Sequence, residues 1–197
     1  DREFADEFAR CLAKVLGRSP KNPRYRKSTK RYVVEVRSQT LYQLLKKPVD
    51  INRLRRYIEH SEDCVTAFLR GFTDSEGFVN KKGQIRMYNT DLRLLRYVKS
   101  LLKRLGVVST GPKQTRRGKA FFDPRKRKIY TTNRDCYYLY TRTRCNMTFY
   151  RKVGLTIQRK RRHLENYSKI RQSQTPSPLL SPPLNKYTIV NIAPAGI

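Results

Sequence analysis

The chain has no tryptophan, two histidines, two methionines and four cysteines among its 197 residues, and only 15 acidic side chains stand against 45 Lys and Arg. Each shortage excludes something. Cys11, Cys64, Cys136 and Cys145 form no Cys-x-x-Cys pair, and His60 and His163 are too isolated to complete a zinc site, so the thiols read as small side chains in a reducing compartment. No apolar run approaches bilayer-spanning length and no secretory signal opens the chain. The expectation is a protein that is not secreted. The scarcity of acid leaves a net charge of +30, which points to a polyanionic partner. Residues 77–170 alone hold 26 basic and four acidic side chains, a net of +22. An anionic membrane would favour a basic amphipathic helix, whereas this charge lies in strand-like stretches among Tyr, Gln and Asn, so nucleic acid is the better partner.

Residues 1–17 place Phe4, Phe8, Cys11, Leu12 and Val15 on one helical face, with Gly17 as a stop. A basic, turn-rich stretch (18–31) leads to a strand over 32–38, then to a helix or helix pair broken at Pro48. Ser61, Glu62 and Asp63 read as the cap and acidic first turn of a helix that carries Val65, Phe68, Leu69 and Phe72 and ends at Gly77. A hairpin turns at Lys81–Lys82–Gly83, residues 91–106 form an amphipathic helix, and a basic stretch (112–134) leads into a second hairpin at 137–143. A basic helix closes the unit. The segment 171–197 holds five of the ten prolines, two basic residues and no acid, and reads as a disordered tail. There is also an internal repeat: laying Leu16–Gly17 on Leu105–Gly106 superposes two amphipathic helices, each followed by basic strand and apolar helix.

Within the helix ending at Gly77, Leu69-Arg70-Gly71-Phe72-Thr73-Asp74-Ser75-Glu76-Gly77 is similar to the LAGLIDADG signature of homing endonucleases. A mid-helix Gly71 costs about 1 kcal/mol against Ala, so it needs a reason such as close approach of a second helix backbone. Residues 86–107 and 149–167 resemble that family's strand-to-helix passage and its closing segment.

The resemblance implies an α+β fold of αββαββα repeats that form a DNA-binding β saddle. It divides the chain into 1–60, the later part of a first repeat; 61–170, a complete second repeat; and the 171–197 tail. It implies a metal-dependent, site-specific DNA endonuclease that uses Mg²⁺ on double-stranded DNA. The alternative on the same fold is a non-cleaving DNA binder or an RNA splicing maturase. Glu76 and Gly77 would hold the metal, with Glu76, Asn89 and Lys82 as catalytic residues. Lys81, Gln158 and Arg159 are other candidates for a basic side chain near the phosphate, while Asp74 reads as a helix-end hydrogen-bonding residue rather than a ligand.

Alternate residues of a sheet reach base edges from one face. In the first hairpin these are Asn80, Lys82, Gln84, Arg86 and Tyr88. In the second they are Arg116, Lys119, Lys128, Tyr130, Thr132, Arg134, Tyr138, Tyr140 and Arg142. Only one motif is present, so the expectation is either a pseudo-dimer within one longer chain, its first motif upstream, or self-association through the 62–74 helix. The chain on its own is expected to leave Val65, Phe68, Gly71 and Phe72 partly exposed as an apolar seam that invites association.

Overall fold

The computed structural model describes residues 1–46, 49–115, 120–123, 127–131 and 135–173. Helix α1 (Arg2–Leu16) ends where Gly17 turns left-handed at φ 59°. Strands β1 (Arg24–Arg26) and β2 (Arg31–Val33) form a short antiparallel ribbon. Helices α2 (Gln39–Leu45) and α3 (Ile51–Ile58) follow, their first turns capped by Ser38 and Asp50. The second part of the chain runs α4 (Glu62–Glu76), β3 (Gly77–Val79), β4 (Ile85–Asn89) and α5 (Leu92–Arg104). It continues through β5 (Ser109–Gln114), β6 (Ala120–Asp123), β7 (Lys128–Thr131) and β8 (Tyr137–Thr141). After a 3-10 turn at Thr143–Cys145 come α6 (Asn146–Lys152) and α7 (Gln158–Ser173).

Four strands make an antiparallel sheet in the order β3-β4-β8-β5, while β6 and β7 pair separately as a ribbon. Period-two alternation sorts the faces of this sheet. Ile85, Met87 and Leu139 are fully buried, and α4 and α5 cover them with Val65, Leu69, Leu95, Val98, Leu101 and Leu102. The opposite face carries Arg86, Tyr88, Tyr138 and Tyr140, all half-buried. The mixed helix-and-sheet architecture is the α+β class expected from the sequence.

Several expectations are corrected. The apolar side of α4 is not a seam: Val65 is 1% exposed and Phe72 8%, and Phe68 stacks on Phe72 and lies against Tyr97. These residues belong to the stripe that meets the sheet and α5. The exposed side of α4 instead carries Ala67 and Gly71, and a Cβ placed on Gly71 would meet nothing within 4 Å.

Helix α1 buries Ala5, Ala9 and Ala13, leaving Phe8 46% and Val15 68% exposed, so the face expected to be covered is largely open. The strand expected over 32–38 is confined to 31–33, and its partner lies in the stretch read as turn. That pairing rests on a Tyr25–Tyr32 ring contact and on Arg24 and Arg26 reaching Glu35, signals that hydrophobic alternation does not carry. At the other end, α7 runs to Ser173, past the expected boundary at 170; the remainder of the tail, 174–197, lies outside the described residues.

Candidate functional site

Helix α4 begins at a capped end and finishes at an exposed acid. Ser61 Oγ accepts the amide of Cys64, and Glu62 and Asp63 occupy the first turn, where carboxylates favour the positive end of the helix dipole. At the other end, Gly77 N–H closes on Thr73 O and the chain passes directly into β3. Gly77 is extended (φ −94°), so it is required for space rather than handedness: a Cβ there would lie 2.3 Å from Thr73 O. Glu76 is thereby left at the last helical position, solvent-exposed, and its carboxylate makes no hydrogen bond or ion pair to another described residue. The β3–β4 register of Gly77 with Met87 brings the end of α4 beside Tyr88 and Asn89.

The surroundings of Glu76 are tied down by contacts far apart in sequence. Asp74 is 5% exposed, and its carboxylate accepts the amides of Thr156 (2.9 Å) and Ile157 (3.4 Å) at the entry to α7. It therefore has the helix-end hydrogen-bonding part. Glu3 of α1 accepts the next amide, Gln158 N–H, at 2.7 Å. In return, Lys160 of α7 donates to Thr73 O (3.0 Å) and Asp74 O (2.6 Å). Lys160 is 6% exposed, and burial pushes its ammonium below the ordinary lysine range; Asp74 and Glu76 pull it back up, and Arg159 adds to the lowering.

The other expected site residues are dispersed. Asn89 ends β4 with its Oδ1 accepting Asp91 N–H, and Asp91 caps α5 through Arg93 and Leu94. Lys82 stands exposed at the hairpin turn, at the opposite end of β3 from Glu76, so the strand separates the two as partners. Gln158 and Arg159 are exposed at the start of α7, and Arg159 lies 3.9 Å from Asp1.

Among the expected DNA contacts, Arg86, Tyr88, Tyr138 and Tyr140 share the open sheet face, their rings 5.8 Å (Tyr88–Tyr138) and 6.5 Å (Tyr138–Tyr140) apart. Asn80 and Gln84 serve the turn instead: Asn80 Oδ1 accepts the amides of Lys82 and Gln84, and its Nδ2 donates to Gln84. Lys128 and Arg142 are exposed. Tyr130 lies in β7 with its side chain outside the described residues, as are Arg116, Lys119, Thr132 and Arg134 altogether.

Three residues of this region were not singled out from sequence. Phe78, 49% exposed, pairs with Arg86 and joins the open face, as its alternation with buried Val79 indicates. Lys113 sits 6.0 Å over the Tyr140 ring. Lys160 had no local signal, since its acceptors are 86 and 87 residues away.

Among the described residues no cluster of three or more His, Cys, Asp or Glu could cage a metal ion. A hard divalent cation takes oxygen ligands, and the exposed Glu76 carboxylate at the end of α4 is a donor of that kind. No helix among the described residues is long and apolar enough to cross a membrane.

Residues 63–154 match the family described as LAGLIDADG-like domain. The uncharacterized protein MJ0398 of Methanocaldococcus jannaschii is 32% identical over 175 residues, covering 84% of this chain and 59% of that one. MJ0314 of the same organism is 33% identical over 117 residues, 54% of this chain and 44% of that one, so the chain spans about half the length of these relatives. A structure of mesophilic variants of the homing endonuclease I-DmoI superposes with a TM-score of 0.50 at 22% identity, over 76% of this chain and 71% of that one. A second I-DmoI structure, described as in complex with DNA and Mn, gives 0.50 at 21% over the same shares. The fold is like that of I-DmoI, and residues 63–154 resemble the LAGLIDADG-like domain family.

Proposed function

We propose that this chain is part of a site-specific DNA endonuclease that hydrolyses one phosphodiester in each strand of a long double-stranded target. The observation that carries the reading is the position of Glu76: a free carboxylate at the end of the motif helix, at the margin of a sheet face bearing Arg86, Tyr88, Tyr138 and Tyr140, in a segment of net charge +22. An acid facing a polyanion is unfavourable unless a cation joins them. Glu76 and the Gly77 carbonyl would hold a divalent metal, Mg²⁺ or Mn²⁺, which supplies charge neutralisation at the phosphate and activation of water. The DNA-bound I-DmoI complex supports DNA as the partner. The sheet face fixes the register of DNA, with Arg86 and Lys113 toward phosphates or base edges and the tyrosines and Phe78 packing on the groove wall. Asn89, beside the helix end, orients water or phosphate.

A cut in both strands requires a second acid. We place it on another motif-bearing helix that lies along Ala67 and Gly71, where small side chains permit close backbone approach. In this reading residues 1–60 are the later part of the first repeat and 61–170 the second.

The test is Glu76→Gln, assayed by nicking and linearisation of target plasmid with Mg²⁺ or Mn²⁺ against EDTA. Cleavage should fall to background while DNA affinity stays within about threefold, because an amide keeps the shape but not the charge. Metal-dependent cutting by Glu76→Gln at the wild-type rate removes the proposal. Binding without cutting in a protein that carries both motif helices would make the scaffold a binder or an RNA maturase instead.

A further inference from the structure

The last four carbonyls of a helix have no partner within it, and they form the negative end of its dipole. In α4 those groups belong to the turn that carries Glu76. Gly77 N–H takes one lone pair of Thr73 O. Thr73 and Asp74 are buried, and what reaches their carbonyls is the ammonium of Lys160, held at 3.0 Å from Thr73 O and 2.6 Å from Asp74 O. The lysine is buried to 6% exposure and comes from α7, whose two preceding amides, Thr156 and Ile157, are held by the Asp74 carboxylate. The two helices are thus tied in both directions, two and three residues before Glu76.

We propose that Lys160 is a positioning residue for Glu76: it locks the final turn of the motif helix so that the carboxylate stands ready for a divalent cation, and its charge offsets the negative helix end there. The inference rests on the metal-dependent reading above but concerns a residue outside the motif. Three features separate it from ordinary packing. A buried lysine is costly unless its donors are used, and here its hydrogen bonds go to the backbone carbonyls of that turn. It acts on the turn that bears Glu76, not on the apolar stripe of α4. Lys160 stands apart from the apolar core of this unit, which runs from Ile58 to Leu164.

The test is made by NMR on the isotopically labelled full chain with Mn²⁺ alone as probe, so it needs no knowledge of the target. Lys160→Met should speed amide exchange at Glu76 and Gly77 and raise the Mn²⁺ concentration that half-broadens the Gly77 amide by about tenfold, the size typical of losing a group behind a metal ligand. Exchange in Val65–Leu69 and in α5 should stay at wild-type rates. Lys160→Arg, which keeps charge and donors, should recover most of both effects. Should Lys160→Met fail to fold, Lys160→Gln carries the same two expectations.

Wild-type exchange and an unchanged Mn²⁺ midpoint in these variants would overturn the proposal. So would faster exchange spread evenly through α4 and α5, which is the mark of packing alone. Glu76→Gln separates the two ideas: it must abolish the broadening. If it does, and Lys160→Met changes nothing, only the positioning role is lost; if it does not, the metal reading and this inference fall together.

Discussion

Phe8 and Tyr97 occupy the same place in the two amphipathic helices when Leu16–Gly17 is laid on Leu105–Gly106, yet Phe8 is 46% exposed and Tyr97 only 9%. The helix ends are otherwise alike. Gly17 at φ 59° is followed by Arg18 N–H on Ala13 O, and Gly106 at φ 78° by Val107 N–H on Leu102 O, both at 2.9 Å. The difference lies in what covers the helix. Tyr97 packs on Phe68 of α4, 6.1 Å between ring centres, and its hydroxyl donates to Glu59. No described helix stands in that relation to Phe8. Local sequence is sufficient to make and end each helix, whereas burial of its apolar side depends on the motif helix and the hairpin behind it.

The comparison extends to charge, and there the largest effect is expected. Residues 1–60 hold 16 basic and seven acidic side chains, against 26 and four in 77–170. Arg24 and Arg26 are moreover committed to Glu35. DNA binding should weaken by about three decades between 50 and 200 mM salt, as expected for several phosphate contacts. Removing a contributing cation lowers the salt slope by about one. Lys113→Ala and Arg86→Ala are therefore expected to lower it, and Arg24→Ala to leave it unchanged. Equal slopes across all three, measured by fluorescence anisotropy, would move the interface off the β4–β8 face.

Next in size is the core. Leu101, 1% exposed among α4, α5 and the sheet, aligns with Leu12 of α1, which is half-buried. Truncating a well-packed leucine removes its transfer energy and leaves a cavity, so Leu101→Ala should cost about 3 kcal/mol. Leu12→Ala should cost under about 1 kcal/mol. Urea unfolding followed by circular dichroism measures both, and similar losses would mean that α1 is as well covered as α5.

How far the sequence foretold this follows from the range of the forces involved. Helix ends were legible because Ser61, Asp91 and Gly17 act within three residues of themselves. The in-and-out alternation of Ile85, Arg86, Met87 and Tyr88 was legible for the same reason. The motif located Glu76, and the structure leaves that acid exposed at the helix end. What was not legible depends on long contacts. Which side of α4 faces the core is decided by the sheet and α5, so the apolar stripe was mistaken for a pairing seam. Lys160, one cation in the basic run at 159–162, differs from its neighbours only through carbonyls on another helix.

A smaller effect separates the two aromatics by pH. Burial, and then the hydrogen bond to Glu59, pushes the Tyr97 phenol up to about 12. The fold therefore binds this proton more tightly than the unfolded chain does. That contribution is complete below the ordinary tyrosine value of about 10 and is lost as pH rises toward 12. Glu59 is held low, first by its hydrogen bond from Arg55 and then by that from Tyr97, so its part is present above the ordinary glutamate range and lost as pH falls through the lowered value. Tyr97→Phe, which gives the second helix the aromatic of the first, should abolish the alkaline fall in melting temperature between pH 10 and 12. A fall that persists unchanged would assign it to another tyrosine.

The smallest expected change in stability is at Phe8 itself. Its ring stacks on Phe4 at 6.4 Å but remains nearly half in water, so Phe8→Ser gives up little burial and should shift unfolding by less than about 0.5 kcal/mol. Its value lies in a second readout. If the open side of α1 is a surface that another helix covers, as α4 covers Tyr97, then the isolated chain should associate through it, because clustered exposed apolar side chains at Phe8 and Val15 invite contact. Sedimentation velocity across a concentration series should show weaker self-association in Phe8→Ser than in the parent chain, at equal stability. An equal effect from Tyr25→Ser, on the separate β1–β2 ribbon, would mean that any exposed aromatic promotes contact and that the likeness between α1 and α5 ends at their glycine caps.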